Sequence, residues 1–218
     1  TLTTSFNVTN VSCFGGNDAS VTLYIYGGTI DYIVSAFGFT LPLIGGVDSI
    51  ASSTLPLPNG IPAGIYPYVV TDVNGCSTTD TVTITQPTAI TISSTTQDAS
   101  CNGASDGTAT ITVSGGTPGY SYLWSTTPVQ TTATATALAA GAYVCTITDS
   151  NSCSTTHSVT ISEPTTLTTS FNVTNVSCFG GNDASVTLYI YGGTIDYIVS
   201  AFGFTLPLIG GVDSIASS

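Results

Sequence analysis

The sequence predicts an all-β fold: tandem immunoglobulin-like β-sandwich modules in an extended array. Three observations predict it. Apolar residues alternate with Ser, Thr and Tyr at period two, Gly-Gly and Asn-Gly pairs interrupt the alternation, and the same order of strands and turns recurs along the chain. No stretch shows the 3.6-residue period of a capped helix.

The first strong strand is read in "ASVTLYIYGG", where Val21, Leu23 and Ile25 alternate with Ser20, Thr22, Tyr24 and Tyr26. Its counterpart "TATITVSGG" sets Ala109, Ile111 and Val113 against Thr108, Thr110 and Thr112. Such alternation turns one face of a strand toward a core and the other toward water. "DTVTITQP" and "HSVTISEP" carry the same pattern with Val82 and Ile84, then Val159 and Ile161. Each ends at a proline, which cannot donate to a ladder. Gly27-Gly28, Gly115-Gly116 and Gly192-Gly193 mark turns, and Asn74-Gly75 in "DVNG" predicts a type I′ hairpin. Tyr66 and Tyr143 each stand two residues after a Gly at the start of a late strand, the placement of a tyrosine corner. In "YSYLW", Tyr120, Tyr122 and Trp124 share one strand face, and they are expected in the core rather than on a sugar-stacking platform.

Repetition sets the domain plan. Thr1–Ser53 recurs letter for letter as Thr166–Ser218. A weaker repeat lies inside that period: "VSCFGGNDASVTLYIYGGTIDY" from Val11 matches "ASCNGASDGTATITVSGGTPGY" from Ala99, and "AGIYPYVVTDVNGCSTTDTVTITQPT" from Ala63 matches "AGAYVCTITDSNSCSTTHSVTISEPT" from Ala140. The expected modules are 1–87, 88–165 and a truncated copy of the first at 166–218, with Pro87 and Pro164 stiffening the joints. The third copy stops before the counterpart of Ala63–Thr88, and half a sandwich could not bury its apolar face, so a window on a longer array is expected. The first module also carries an apolar insertion at 36–62 whose second-module counterpart is short and polar. A large apolar loop of this kind points to contact with neighbouring modules or filaments, or to a flap over its own sandwich.

Six cysteines at recurring positions point to an oxidising compartment and a disulfide framework. Cys13 precedes the first strong strand and Cys76 follows the "DVNG" turn, and the second module repeats this with Cys101 and Cys153. The expected bonds are therefore Cys13–Cys76 and Cys101–Cys153. Each would close a loop of about 50 to 60 residues and stabilise its module by roughly 4 kcal/mol on the chain-entropy account. Cys145 replaces Tyr68 of the first module and shares strand parity with Tyr143 and Ile147, which places it in the core as a small apolar side chain; pairing with Cys101 is the alternative.

Composition excludes several functions. The 218 residues hold no Lys or Arg and 12 Asp plus Glu, for a formal charge of −12. Nucleic acid and anionic lipid are recognised through cations, so neither is an expected partner. The same absence removes every bond a trypsin-like protease would cut, which suits life outside the cell. No apolar run reaches about 18 residues, so no membrane-spanning helix and no direct membrane insertion is expected. With 42% hydrophobic residues the chain is nevertheless rich enough for real cores.

The residues give no sign of an enzyme and no cofactor is expected. His157, the one histidine, sits in a Ser/Thr-rich strand without a counterpart in the other module, and no CxxC or phosphate-binding loop occurs. Asp18 and Asp106 lie in Gly-rich loops, and Asp72 and Asp149 end a late strand. Calcium needs six to eight oxygens, so one Asp per loop would bind Ca2+ only where several loops converge. The simpler expectation is aspartate as a turn former through its side-chain hydrogen bonds.

The run from Cys101 to Pro118, followed by "YSYLW", "LAAGAY", Thr148-Asp149 with Asn151, and the closing "TISEP", resembles the SprB repeat of giant surface adhesins in gliding Bacteroidetes. The first module departs from it at Ala19, at Ala36 where the family has Trp, and in its insertion. The resemblance implies export by the type IX route, display on the cell surface, and adhesion to substratum or polysaccharide by a repetitive filament that gives reach and multivalent attachment during gliding. It also implies O-glycosylation at Asp-Ser/Thr followed by a small or aliphatic residue, which here selects Ser49, Thr81 and Ser214. The alternative function is a self-assembling structural fibre or sheath.

Overall fold

A computed structural model describes residues 1–29, 31–43, 52–53, 60–201, 204–208 and 214–217. Among the described residues all regular structure is strand. The first repeat contributes β1 (Thr3–Thr9), β2 (Ser20–Tyr26), β3 (Tyr32–Ala36), β4 (Phe39–Leu43), β5 (Ser52–Ser53), β6 (Gly64–Thr71) and β7 (Ser77–Ile84). They form two sheets of order β1-β2-β5 and β4-β3-β6-β7. In the second repeat, β8 (Thr91–Gln97), β9 (Gly107–Ser114) and β11 (Thr134–Leu138) form one sheet of order β11-β9-β8. The other has order β10-β12-β13 and comprises β10 (Ser121–Trp124), β12 (Gly141–Thr148) and β13 (Ser154–Ile161). Two sheets that share out consecutive strands in this way, the first, second and fifth against the rest in the first repeat and the first, second and fourth against the rest in the second, are the immunoglobulin-like sandwich.

The third copy repeats the beginning of the plan. Its strands β14 (Thr168–Thr174), β15 (Ser185–Tyr191) and β18 (Ser214–Ser217) form one sheet, and β16 (Tyr197–Ala201) pairs with β17 (Phe204–Leu208) in another. Residue-by-residue pairing of β14 with β15, from Thr168 opposite Tyr191 to Thr174 opposite Ser185, copies that of β1 with β2, from Thr3 opposite Tyr26 to Thr9 opposite Ser20. In this copy Phe171 and Ile198 stand exposed.

The cores follow the alternation. In the first repeat Val11, Ala19, Val21, Ile61, Val82 and Ile84 pack together, as do Ile25, Tyr32, Val34, Ala36, Tyr68 and Val70. In the second, Ala109, Ile111, Leu138, Ile147, Val159 and Ile161 are buried, as is Trp124, whose indole N–H donates to the Thr132 carbonyl at 2.9 Å. Each Val, Leu or Ile side chain so buried contributes roughly 1.5–3 kcal/mol. The Tyr66 hydroxyl donates to the Pro62 carbonyl at 2.9 Å and that of Tyr143 to the Ala139 carbonyl at 3.0 Å, so both tyrosine corners are formed. Tyr32, Tyr120 and Tyr197 repeat a second device, each donating to the carbonyl of the Gly five residues earlier.

By contacts, the chain groups into two compact units. One comprises Thr1–Thr91, Val113–Tyr120 and Thr148–Thr155; the other comprises Ile92–Thr112, Ser121–Ile147 and Thr156–Ser218.

Both described ends of the apolar insertion belong to the first repeat's own sandwich. Ala36 pairs with Phe39 across a two-residue turn in which Phe37 and Gly38 both have positive φ, the type I′ geometry. The Phe37 ring lies 4.7 Å from that of Tyr66, and Ile61 is buried opposite Ala19. Within the insertion Ser52–Ser53 pairs with β2 as β5, while residues 44–51, with Ser49, and 54–59 lie outside the described residues.

Candidate functional site

Five of the six cysteines lie in two kinds of loop, each built by an aspartate, and Cys145 lies in β12. The β6–β7 turn is organised by Asp72, which is 5% exposed. One carboxylate oxygen accepts from the amides of Asn74 (3.0 Å) and Cys76 (2.8 Å), the other from Thr29 (3.1 Å). Asp149 does the same in the β12–β13 turn with Asn151, Cys153 and Thr117, each at 2.9 Å. These N–H donors, Thr29 and Thr117 foremost, hold both carboxyls below the usual carboxylate range. The turn is not the expected type I′. The Gly75 amide donates to the Asp72 carbonyl at 2.9 Å across Val73 and Asn74, and only Gly75 takes positive φ, with Ser152 in its place in the second repeat. A three-residue loop with one left-handed residue leaves the preceding Asp free to gather the amides, which a two-residue Asn-Gly turn would not.

The β1–β2 loop is organised by Asp18. Its carboxylate takes the Ser12 amide at 3.0 Å and the Ser12 hydroxyl, and the Gly16 amide closes onto the Cys13 carbonyl at 3.0 Å. Asp106 takes the Ser100 amide at 2.9 Å and Asp183 that of Ser177 at 3.0 Å, with the same closure by Ala104 onto Cys101 and Gly181 onto Cys178. Hydrogen bonding from Ser12, Ser100 and Ser177, the hydroxyl first, lowers the pKa of each of these three carboxyls. The expectation of aspartate as a turn former therefore has its hydrogen bonds at all four positions, Asp18, Asp72, Asp106 and Asp149, and Asp183 repeats the bond of Asp18.

Between these two kinds of loop the structure closes one disulfide, Cys13–Cys153, with Cα atoms 5.7 Å apart. This corrects the expected Cys13–Cys76 and Cys101–Cys153 bonds. Within a repeat the two cysteines lie at opposite ends: Cys13 precedes β2, whereas Asp72 of the Cys76 turn bonds Thr29 just beyond the end of β2. Seven residues of strand separate those ends by roughly 20 Å at about 3.3 Å per residue, and a disulfide needs Cα atoms within about 7 Å. The second repeat repeats the separation across β9, with Thr117 bonded to Asp149.

The connector explains the bond that does form. Gln86 accepts the Gly15 amide at 2.7 Å, and the Val11 amide donates to the Thr85 carbonyl at 3.1 Å, so the first repeat ends beside its Cys13 loop. Two residues on, the Thr88 carbonyl accepts from Gly116 at 2.8 Å, next to Thr117 and hence to the Cys153 turn. A connector this short brings the Cys13 loop against the next turn. Asn151 adds a side-chain hydrogen bond to the Ser12 carbonyl at 2.9 Å, and Phe14, Thr88, Ile90, Asp149 and Ser152 line an open cavity of about 460 Å³ beside the bond.

Cys76, Cys101 and Cys178 are exposed thiols. Cys145 is a buried free thiol at 0% exposure, and burial pushes its pKa up, as expected of a small apolar core side chain. Of the glycosylation candidates, Thr81 is exposed on β7 and Ser214 lies in β18. His157 hydrogen-bonds Ser94 at 3.0 Å. Trp124, at 1% exposure, is a core residue and not a stacking platform, while Tyr26 is exposed. Among the described residues no three His, Cys, Asp or Glu side chains are gathered as metal donors, and no helix is long and apolar enough to cross a membrane.

Comparison with known proteins adds three findings. The family profile of the SprB repeat matches residues 5–32, 93–128 and 170–197. A search of curated proteins found no match. Among solved structures the chain is similar to an amphioxus IgVJ-C2 molecule, at 12% identity and a TM-score of 0.29 over 72% of this chain and 96% of that one.

Proposed function

From the premise that this chain carries three SprB-repeat segments, we propose that it is a segment of an extracellular, cell-surface adhesin filament, whose repeats supply mechanical reach and multivalent attachment to substratum or polysaccharide during gliding. The match at three segments is the observation that carries this reading, because the SprB repeat implies a cell-surface, adhesin-type repeat region. Aspartate-built loops and closed sandwiches support a load-bearing role, and a disulfide fits an oxidising exterior reached by the type IX route. No constellation of the described residues calls for an enzymatic reading.

Weak contacts gain strength by number, so attachment should depend on valency. Beads coated densely with the chain are expected to hold to a polysaccharide-coated surface under flow, while the monomeric chain washes off. Beads that bind no better than uncoated ones, while the chain itself assembles into sheets or bundles visible by electron microscopy, would favour a structural fibre instead.

A further inference from the structure

The three exposed cysteines belong to loops already shaped like those of the bonded pair. The Cys101 and Cys178 loops carry the same serine-aspartate bond and the same turn closure as the Cys13 loop. The Cys76 turn carries the same aspartate bonds as the Cys153 turn, and its Asn74 stands where Asn151 stands. Neither kind of loop needs its partner in order to form. Among the described residues none of these three thiols is bonded to a second cysteine. Phe14, beside the bonded Cys13, is 59% exposed, whereas its copy Phe179 beside Cys178 is 110% exposed.

The Cys101 loop is also positioned as the Cys13 loop is. Glu163 accepts the Gly103 amide at 2.7 Å, as Gln86 accepts that of Gly15, and the Gly193 amide donates to the Thr165 carbonyl at 2.8 Å, as Gly116 donates to Thr88. The connector thus delivers the Gly192-Gly193 turn in the place where Gly115-Gly116 meets the Cys153 turn.

We propose that the β1–β2 type of loop is a preformed socket for the β6–β7 type of turn of another repeat, so that successive repeats are joined by one disulfide each and no disulfide lies within a repeat. A second copy of this chain is then the occupant that the free loops accept: its Cys76 turn docks on Cys178, or on Cys101, of the first. The covalent step is a thiol–disulfide exchange with a small disulfide such as oxidised glutathione. One thiolate displaces glutathione to form a mixed disulfide, the second displaces the other half, and the two protein protons leave with two glutathione thiols while the new S–S bond forms. The rule is independent of what surface the repeats grip.

The test uses the 218-residue chain incubated with oxidised glutathione and digested with a protease that cuts after acidic residues and then with one that cuts after aromatic residues, which together place each of the six cysteines in a separate peptide. Disulfide-linked dimers and longer oligomers are expected, with the Cys76 peptide joined to the Cys178 or Cys101 peptide. Cys76→Ser is expected to reduce these species at least tenfold while the Cys13–Cys153 bond stays intact, and Asn74→Ala to slow their formation several-fold. Cys76–Cys76 and Cys178–Cys178 links in random proportion, or a chain that stays monomeric with three reactive thiols, would overturn the proposal.

Discussion

The Cys13 loop and the Cys178 loop are one sequence in two settings. Both hold Ser to Asp at 3.0 Å and close Gly onto Cys at 2.9 to 3.0 Å. Yet Val11 is 3% exposed and its copy Val176 46%, and Cys13 is bonded while Cys178 is a free thiol. Local sequence therefore fixes the shape of the loop, and the neighbouring strands and turn fix what it does. Shape is a matter of two hydrogen bonds between residues six apart or fewer, whereas burial and pairing require chain more than sixty residues away.

The largest expected effect comes from giving Cys13 the setting of Cys178. Cys153→Ser removes a cross-link over 140 residues of sequence. On the chain-entropy account it costs up to roughly 5 kcal/mol, read as a drop in denaturant midpoint, and Cys13 is expected to react with a thiol reagent as fast as Cys178. Trp124→Ala attacks the second repeat from its core and is expected to cost about 3–5 kcal/mol, with Cys145 becoming reactive at lower denaturant than in the parent chain. In the parent, three thiols react in the native state and Cys145 only on unfolding. Tyr143→Phe removes one tyrosine corner and should cost about 1 kcal/mol, while thiol reactivity at Cys13 and Cys178 stays as it was.

Acid should act alike on bonded and free loops, by the smallest step per site. All five loop aspartates have folded pKa values below their unfolded ones. Their contribution to stability is fully present above the unfolded value of about 3.9 and is lost as pH falls through the lower folded values. The melting temperature is expected to fall as pH drops below about 4. A melting temperature that rises in that window would contradict the role given to these carboxylates.

Much of the fold was legible because period-two alternation and repeated turns are local. Val82, Ile84, Val159 and Ile161 are buried where the pattern put them, and Tyr66 and Tyr143 make their corner bonds. The disulfide pairing was not legible from cysteine positions alone, because it depends on which end of a sandwich each loop occupies. One signal was available: a repeat that begins beside its Gly-Gly turn and ends beside its first cysteine sets that cysteine next to the following repeat's Gly-Gly turn. The Asn74-Gly75 pair misled for a different reason. Asp72 outcompetes the two-residue turn by gathering three amides, and the type I′ geometry falls instead at Phe37-Gly38.

The most direct measurement is the disulfide map of the native chain, free thiols blocked, after cleavage at acidic residues and mass analysis. The account predicts a peptide ending at Asp18 linked through Cys153 to the one that begins at Ser150, with Cys76, Cys101 and Cys178 blocked as thiols. Cys13 linked to Cys76 together with Cys101 linked to Cys153 would contradict it.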